Sequence, residues 1–411
     1  MIEDRKHKLF YGYVIVSVAF AVMMIAAGGF YSFGVFLEPV LAGFGWTRAM
    51  ISAAFSLNIL LVGFMGIGTG RLNDRFGPRL LLTAGGFFWG LGYLLMSQVT
   101  AVWQLYLFYG LIMGIGFSGS FLPPLSTITR WFTKKRGMMT GIVLAGIGTG
   151  TIIMPLLAGW LVSNYGWRVS FTTIGVISLV LIILAAQFFR RDPQGIGQLP
   201  DGETAVKPES SNLIASGLSL QEAIRTRQLW VLWAISLCLG FSIYTVIVHI
   251  VIHAIGLGIP AATAPSILAV AGGVNIAGRL ALGSTADRIG SRATLVIGIM
   301  GLLTALVWLQ FAKELWMLYL FAVIFGFAYS VFVLESPMVA ESFGLRSHGV
   351  LFGMVDTGQT VGGFIGPVLV GFIFDTTGSY QVGFLILAVA SLMSLILTFF
   401  LKPTKSVPLD L

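Results

Sequence analysis

The sequence predicts an all-α membrane protein: twelve transmembrane helices arranged as two six-helix repeats. Three observations carry this. Of 411 residues, 57% are apolar and 10% charged, where a soluble domain carries about 25% charged residues. A chain of this length cannot hide that much apolar surface in its own core, so lipid must cover it. The apolar runs are long and continuous, which selects helices over the short alternating strands of a barrel. Finally, the first half of the chain matches the second at a nearly constant offset.

A bilayer is crossed by about twenty apolar residues. In chain order that rule gives spans at 10–37, 48–70, 79–99, 102–128, 138–163, 167–189, 229–255, 261–285, 292–312, 315–340, 349–374 and 380–401. The first follows a charged start, "MIEDRKHK". It is too long for the apolar core of a signal peptide, and no clean cleavage motif interrupts it, so it is expected to be retained. Spans six and seven are separated by the longest loop, Arg190–Gln228. Its "DPQGIGQLPDGETAVKPESSN" is rich in Pro, Gly, Ser and acid, the composition of a linker. The expected organisation is a first bundle at 1–189, a cytoplasmic linker at 190–228, a second bundle at 229–401 and a cytoplasmic tail at 402–411. Cys238, the single cysteine, excludes an intramolecular disulfide.

The net charge of +8 could suggest nucleic acid, so the location of the charge decides. Of 24 Lys and Arg residues, Arg48, Arg168 and Lys313 lie on one face and Arg279 lies inside a span. All the others occupy loops and tails of the opposite face. This is the topogenic pattern of cytoplasmic loops. It predicts both termini in the cytoplasm, the bilayer rather than nucleic acid as partner, and a location such as a bacterial inner membrane.

The repeat is specific. "GRLNDRFGPR" and "GSTADRIGSR" share G-x-x-x-D-R-x-G-x-R, and Gly141, Gly146, Gly150, Pro155, Gly159 and Gly166 recur as Gly353, Gly358, Gly362, Pro367, Gly371 and Gly378. Two halves in the same orientation with a site between them is a transporter architecture. The matched glycines of spans 5 and 11 are expected to mark surfaces where the halves slide.

With its doubled loop motif, the chain resembles the major facilitator superfamily over essentially its whole length. Within it, "GGFYSFGVFLEPV" in span 1, "RWFTKKRGMMTGIVLAGIGTG" entering span 5, and Arg279 with a polar residue four positions earlier resemble the monocarboxylate transporter and oxalate–formate antiporter branches. That resemblance implies symport or exchange of small carboxylates such as lactate or pyruvate, by alternating access and with protons as the second partner.

Arg279 is the residue on which the functional reading turns. A central arginine costs about 2.5–3.5 kcal/mol on insertion scales and cannot shed its proton. It must face the bundle interior, toward an acid, water or an anionic ligand, and its planar fork suits a carboxylate. The competing role is a permanent salt bridge to a buried acid. Asn275 lies one turn earlier on the same face. Relatives often carry an aspartate there, a lysine where this chain has Val35, and, in the oxalate carrier, a lysine where this chain has Gln359. One buried cation matches one carboxylate, which favours a monocarboxylate.

Tyr31, Tyr329 and Phe332 are candidate walls of the substrate cavity, against ordinary packing in an aromatic-rich chain. His249 and Asp356 are candidates for proton coupling. Asp74, Arg75, Arg79, Asp287, Arg288 and Arg292 are expected to form a cytoplasmic gate. There is no nucleotide loop, metal-ligand cluster or placed nucleophile, so neither an enzyme nor a bound cofactor is expected. The expected unit is a monomer. A non-transporting carboxylate sensor is the remaining alternative.

Overall fold

The computed structural model describes residues 10–132, 136–199, 201, 218–344 and 347–401. The tail and most of the linker lie outside the described residues. So do the side chains of 66–68, 70, 71, 74, 129, 136, 137, 287, 348 and 349, including Asp74 and Asp287 of the loop motif.

Among the described residues, 12 helices are long and apolar enough to cross a membrane: Gly12–Phe44, Arg48–Met65, Pro78–Met96, Val102–Ile128, Met138–Tyr165, Trp167–Phe188, Arg227–Gly256, Ser266–Ala286, Ser291–Leu309, Leu315–Phe343, Val350–Thr377 and Gln381–Phe399. These are spans 1 to 12. Each overlaps its expected segment. Span 8 begins later than expected, because residues 261–265 form turns closed by Thr263 N–H to the Pro260 carbonyl at 2.8 Å. Span 1 runs further, to Phe44, across a break at Ser32. The Ser32 hydroxyl donates to the Gly28 carbonyl at 2.7 Å, a local bond that competes with the helical ladder and bends it.

The repeat governs the packing. In the doubled loop motif the second glycine, Gly77 or Gly290, links consecutive spans with φ of 83° and 88°. That is a left-handed backbone which glycine adopts without a Cβ penalty. A Cβ on Gly146 or Gly150 would meet the Phe20 or Met24 carbonyl of span 1. A Cβ on Gly358 or Gly362 would meet the Trp233 or Leu237 carbonyl of span 7. These matched glycines therefore seat span 5 on span 1 and span 11 on span 7, inside each half. This corrects the expectation that all of them mark the sliding surface.

Only Gly159 and Gly371 among the matched set touch the other half, at Pro265 and at Arg48–Ala49. Between them on the same helix faces, Gly148 meets Ile276 and Thr360 meets Gly63. One further step toward the face that carries the linker, Gly141 and Gly353 have nothing within 4 Å of a Cβ. The two halves therefore touch at the face opposite the linker, called distal below, and at mid-depth. They diverge toward the face where residues 10 and 401, the first and last described, lie, called terminal.

Filling Gly150 or Gly362 should overpack a helix pair, at about 1–3 kcal/mol. Gly150→Leu and Gly362→Leu are each expected to lower the melting temperature of detergent-purified protein by several degrees, and Gly141→Leu to leave it unchanged. Equal effects at all three would contradict this packing.

Candidate functional site

Two helix breaks build the site. Helix Gly12–Tyr31 ends at Tyr31, one residue before the break at Ser32. Helix Leu315–Tyr329 ends at Tyr329 and passes into a 3₁₀ turn over Ser330–Leu334, a geometry that in mid-helix often marks a hinge. The breaks bring both tyrosines to the seam between the halves, where the Tyr329 hydroxyl donates to the Tyr31 oxygen at 2.6 Å. Their rings meet edge to face at 6.1 Å. Phe332 stands perpendicular to Tyr329 at 5.9 Å.

Arg279 reaches the same place from span 8. Its Nε–H donates to Asn275 Oδ1 at 3.0 Å, and the guanidinium also interacts with Tyr329. Asn275 is 1% exposed, and its amide is fixed in turn. Asn275 Nδ2 donates to Ser330 Oγ at 3.0 Å, and Ser330 Oγ donates to the Asn275 carbonyl at 3.0 Å. The 3₁₀ turn thus clamps the amide so that its oxygen must point at the arginine. On the far side of the tyrosine pair, Tyr244 of span 7 interacts with Tyr31. Gln359 of span 11 donates to the Tyr244 oxygen at 3.1 Å. The result is a polar chain across the seam, Asn275–Arg279–Tyr329–Tyr31–Tyr244–Gln359, whose only formal charge is the guanidinium.

Among the described residues the salt bridges are Arg130–Asp192 and Arg191–Asp192, near the terminal face, and neither involves Arg279. Its side chain is half-buried, and the next residue, Leu280, is 71% exposed.

The remaining expected residues are placed elsewhere. Asp356 lies toward the terminal side, in electrostatic contact with Glu335 and Tyr244. Glu335 begins the helical segment after the 3₁₀ turn and accepts a hydrogen bond from Ser236 Oγ. It lines a small, mainly apolar cavity with Leu239 and Met338. His249 is fully buried on the distal side. Its Nε2 is 2.9 Å from the Pro367 carbonyl and its Nδ1 is 3.0 Å from the Tyr380 hydroxyl. A carbonyl only accepts, so Nε2 carries the proton and Nδ1 accepts from Tyr380. His249 is not part of the chain that contains Arg279.

Nor do the described loop-motif arginines bridge the halves. Arg79 of span 3 donates twice to Gln187 Oε1 of span 6, at 3.0 and 2.6 Å. Its repeat mate Arg292 of span 9 donates to the Thr398 and Phe399 carbonyls of span 12, at 3.2 and 3.0 Å. Arg75 lies over Phe76 at 5.2 Å, and Arg288 is exposed. In this conformation Arg79 and Arg292 brace the third helix of each half against the sixth.

Sequence reasoning missed Tyr244, Ser330 and the pairing of Glu335 with Asp356. Tyr244 sits between Ser242 and Thr245 in a long, mainly apolar run and carries no signal of its own. Ser330 directly follows Tyr329, and a hydroxyl beside a predicted wall residue was the available clue.

Comparison with known proteins identifies the family and the fold. A model of the Major Facilitator Superfamily matches residues 19–309 and 276–410. The chain is 28% identical over 382 residues to "Monocarboxylate transporter 13" of Rattus norvegicus, covering 92% of this chain and 85% of that one. It is 28% identical over 399 residues to "Oxalate:formate antiporter" of Oxalobacter formigenes, covering 95% and 91%. A crystal structure of a bacterial homologue of the human lysosomal transporter Spinster, inward-facing and unoccupied, matches the fold with a TM-score of 0.74 at 16% identity, over 96% of this chain and 97% of that one.

The tyrosine pair shares one hydrogen bond, worth about 1 kcal/mol. Tyr329→Phe and Tyr31→Phe should each cost about that in thermal unfolding, and the double variant no more than the larger single loss. Fully additive losses would show that the two hydroxyls do not act as a pair.

Proposed function

The chain belongs to the major facilitator superfamily, and from that premise we propose that it is a secondary active transporter of small monocarboxylates of the lactate or pyruvate type. The substrate carboxylate binds Arg279 by alternating access, with protons as the coupling ion. The carrying observation is that the one formal charge of the seam network is a half-buried guanidinium answered only by neutral groups. Asn275 takes one of its five N–H donors, which leaves others for a carboxylate. Tyr31 and Tyr329 would trade their mutual bond for bonds to the substrate, and Phe332 would shape the wall.

The open direction fits the same reading. If the basic face is cytoplasmic, the terminal opening makes this an inward-facing arrangement. Arg279 would then meet substrate from the cytoplasm, and the protein would work as a monomer in a cell membrane. The loop arginines, now bracing each half, would close the terminal face in the opposite state. For the proton, Asp356 paired with Glu335 lies within electrostatic reach of Tyr244, and hence of the substrate network. His249 is the other candidate.

Exchange of the oxalate–formate kind is the alternative, supported by the similarity to that antiporter over 95% of this chain. Against a doubly charged substrate stands the neutrality of Gln359 and Tyr244 opposite the arginine. A sensor that binds without flux is the third reading, and counterflow separates it from the other two.

Uptake of a carboxylate panel into proteoliposomes, with and without an imposed pH gradient, tests the proposal. Lactate or pyruvate should be accumulated and driven by the gradient. Arg279→Lys keeps the charge but loses the fork, and should weaken apparent affinity by at least about tenfold, the equivalent of ~1.4 kcal/mol. Saturable oxalate uptake that lactate and pyruvate do not compete would refute the monocarboxylate reading.

An aspartate at position 275 would pair with Arg279 and compete with the ligand carboxylate. Asn275→Asp is therefore expected to raise the apparent KM for lactate about tenfold at neutral pH, and less in acid, where the new carboxyl is neutralised. An unchanged KM would argue that substrate does not approach the arginine.

A further inference from the structure

The closed distal face is held by one compact cluster that the substrate site does not use. Span 2 starts at Arg48, after the Thr47 cap, and its first two backbone N–H groups point at span 11 of the other half. Asp375 accepts both: Arg48 N–H at 3.0 Å on one carboxylate oxygen and Ala49 N–H at 2.9 Å on the other. A carboxylate on the free N–H groups of a helix start gains from the dipole as well as from the bonds. Here the carboxylate and the helix belong to different halves. Close approach is possible because position 371 is glycine, whose Cβ would lie 3.0 Å from the Ala49 backbone.

The Arg48 side chain crosses the same seam. Its guanidinium stacks over Phe374, 3.6 Å from the ring centroid, a cation–π contact. It also donates to the Tyr380 oxygen at 2.5 Å. Burial raises the proton affinity of the Tyr380 hydroxyl, which keeps it a donor. It spends that proton on His249 Nδ1. The relay Arg48 → Tyr380 → His249 → Pro367 carbonyl is thus directional, with every donor matched to an acceptor, and it works only while Nδ1 is bare.

The charged and titratable groups facing His249 are Arg48 from span 2, Asp375 from span 11, Tyr380 ahead of span 12, and His253 from its own helix. Span 1 packs on span 7 at Gly34 and carries Glu38 one turn on. A proton added at Nδ1 would set a second donor against the Tyr380 hydroxyl and a second cation beside Arg48. Asp375 cannot answer it without leaving the helix start.

We propose that Asp375, Arg48 and Tyr380 form a latch that holds the two halves together at the distal face, and that protonation of His249 releases it. Acid on that side then favours the state open to it. The inference does not depend on what the protein carries.

The test reads distances without substrate. Nitroxide labels at Asn164→Cys and Lys313→Cys, exposed residues at the distal ends of the two halves, are placed in a Cys238→Ala background. Electron spin resonance distances are recorded in lipid nanodiscs at about pH 7.5 and about pH 5.5, either side of the ordinary histidine pKa of about 6.5. The parent should hold one short distance at the higher pH and gain a longer one in acid. Asp375→Asn should shift the closed-to-open ratio toward open by at least about tenfold at both values. His249→Gln keeps a neutral donor and acceptor, and should stay closed and lose the acid response. Tyr380→Phe should lose that response while Arg48 remains over Phe374. A label pair within the first half checks that each variant is folded. An Asp375→Asn protein with the parent's distances, or an acid response that survives in His249→Gln, overturns the latch. Neither result bears on Arg279, because no carboxylate is present.

Discussion

An arginine in the middle of a membrane helix cannot lose its charge, and most of the central architecture follows from that constraint. Desolvation of a permanent cation is expensive, so the surroundings must offer oxygen or a path to water. Both are present. Asn275 supplies the fixed oxygen to Arg279, while its amide N–H donates to Ser330 Oγ, which donates in turn to the Asn275 backbone carbonyl. The divergence of the halves supplies the path, since contacts at Gly148 and Gly159 give way to none at Gly141. A 3₁₀ turn that would weaken an ordinary span is placed where its Ser330 hydroxyl clamps the amide and its preceding Tyr329 reaches the other half.

The same economy appears in how the two seams differ. The central seam is a row of hydroxyls and amides with one charge. Its bonds are individually weak and can be exchanged for bonds to an anion at little net cost. The distal seam is charged, with a carboxylate, a helix start and a guanidinium locked in one geometry. Charge-assisted bonds of that kind are about twice as strong as neutral ones. A transporter that alternates between two states needs both kinds: an interface that rearranges around its cargo, and ends that are decisively open or shut.

Much of the fold was legible in the sequence because membrane helices obey a length rule and because the gene is internally repeated. The start of span 2 and the breaks after spans 2 and 8 follow from apolar run length and from Gly77 and Gly290. The role of the glycine rows was harder to read. Gly150 and Gly159 both recur at the same offset, yet one seats span 5 on span 1 and the other meets Pro265 at the start of span 8. Matching by offset alone does not separate those faces. At the site, Arg279 and Asn275 were legible because a charge in lipid has few explanations and one helical turn fixes their contact. Tyr244 and the Asp375–Arg48 pair were not, because they join residues 327 positions apart or carry no local pattern. His249, expected as a candidate for proton coupling, belongs to the distal cluster rather than to the arginine's network.

If a carboxylate is the partner that answers Arg279, ligand-dependent stability reveals it without requiring flux. A ligand that binds the folded state raises its melting temperature in proportion to occupancy. Titrating lactate into the purified protein should raise the melting temperature in a saturable way. The neutral amide of lactate should have no effect, and the shift should vanish in Arg279→Ala. An Arg279→Ala protein stabilised by lactate to the same extent and over the same concentration range would contradict it.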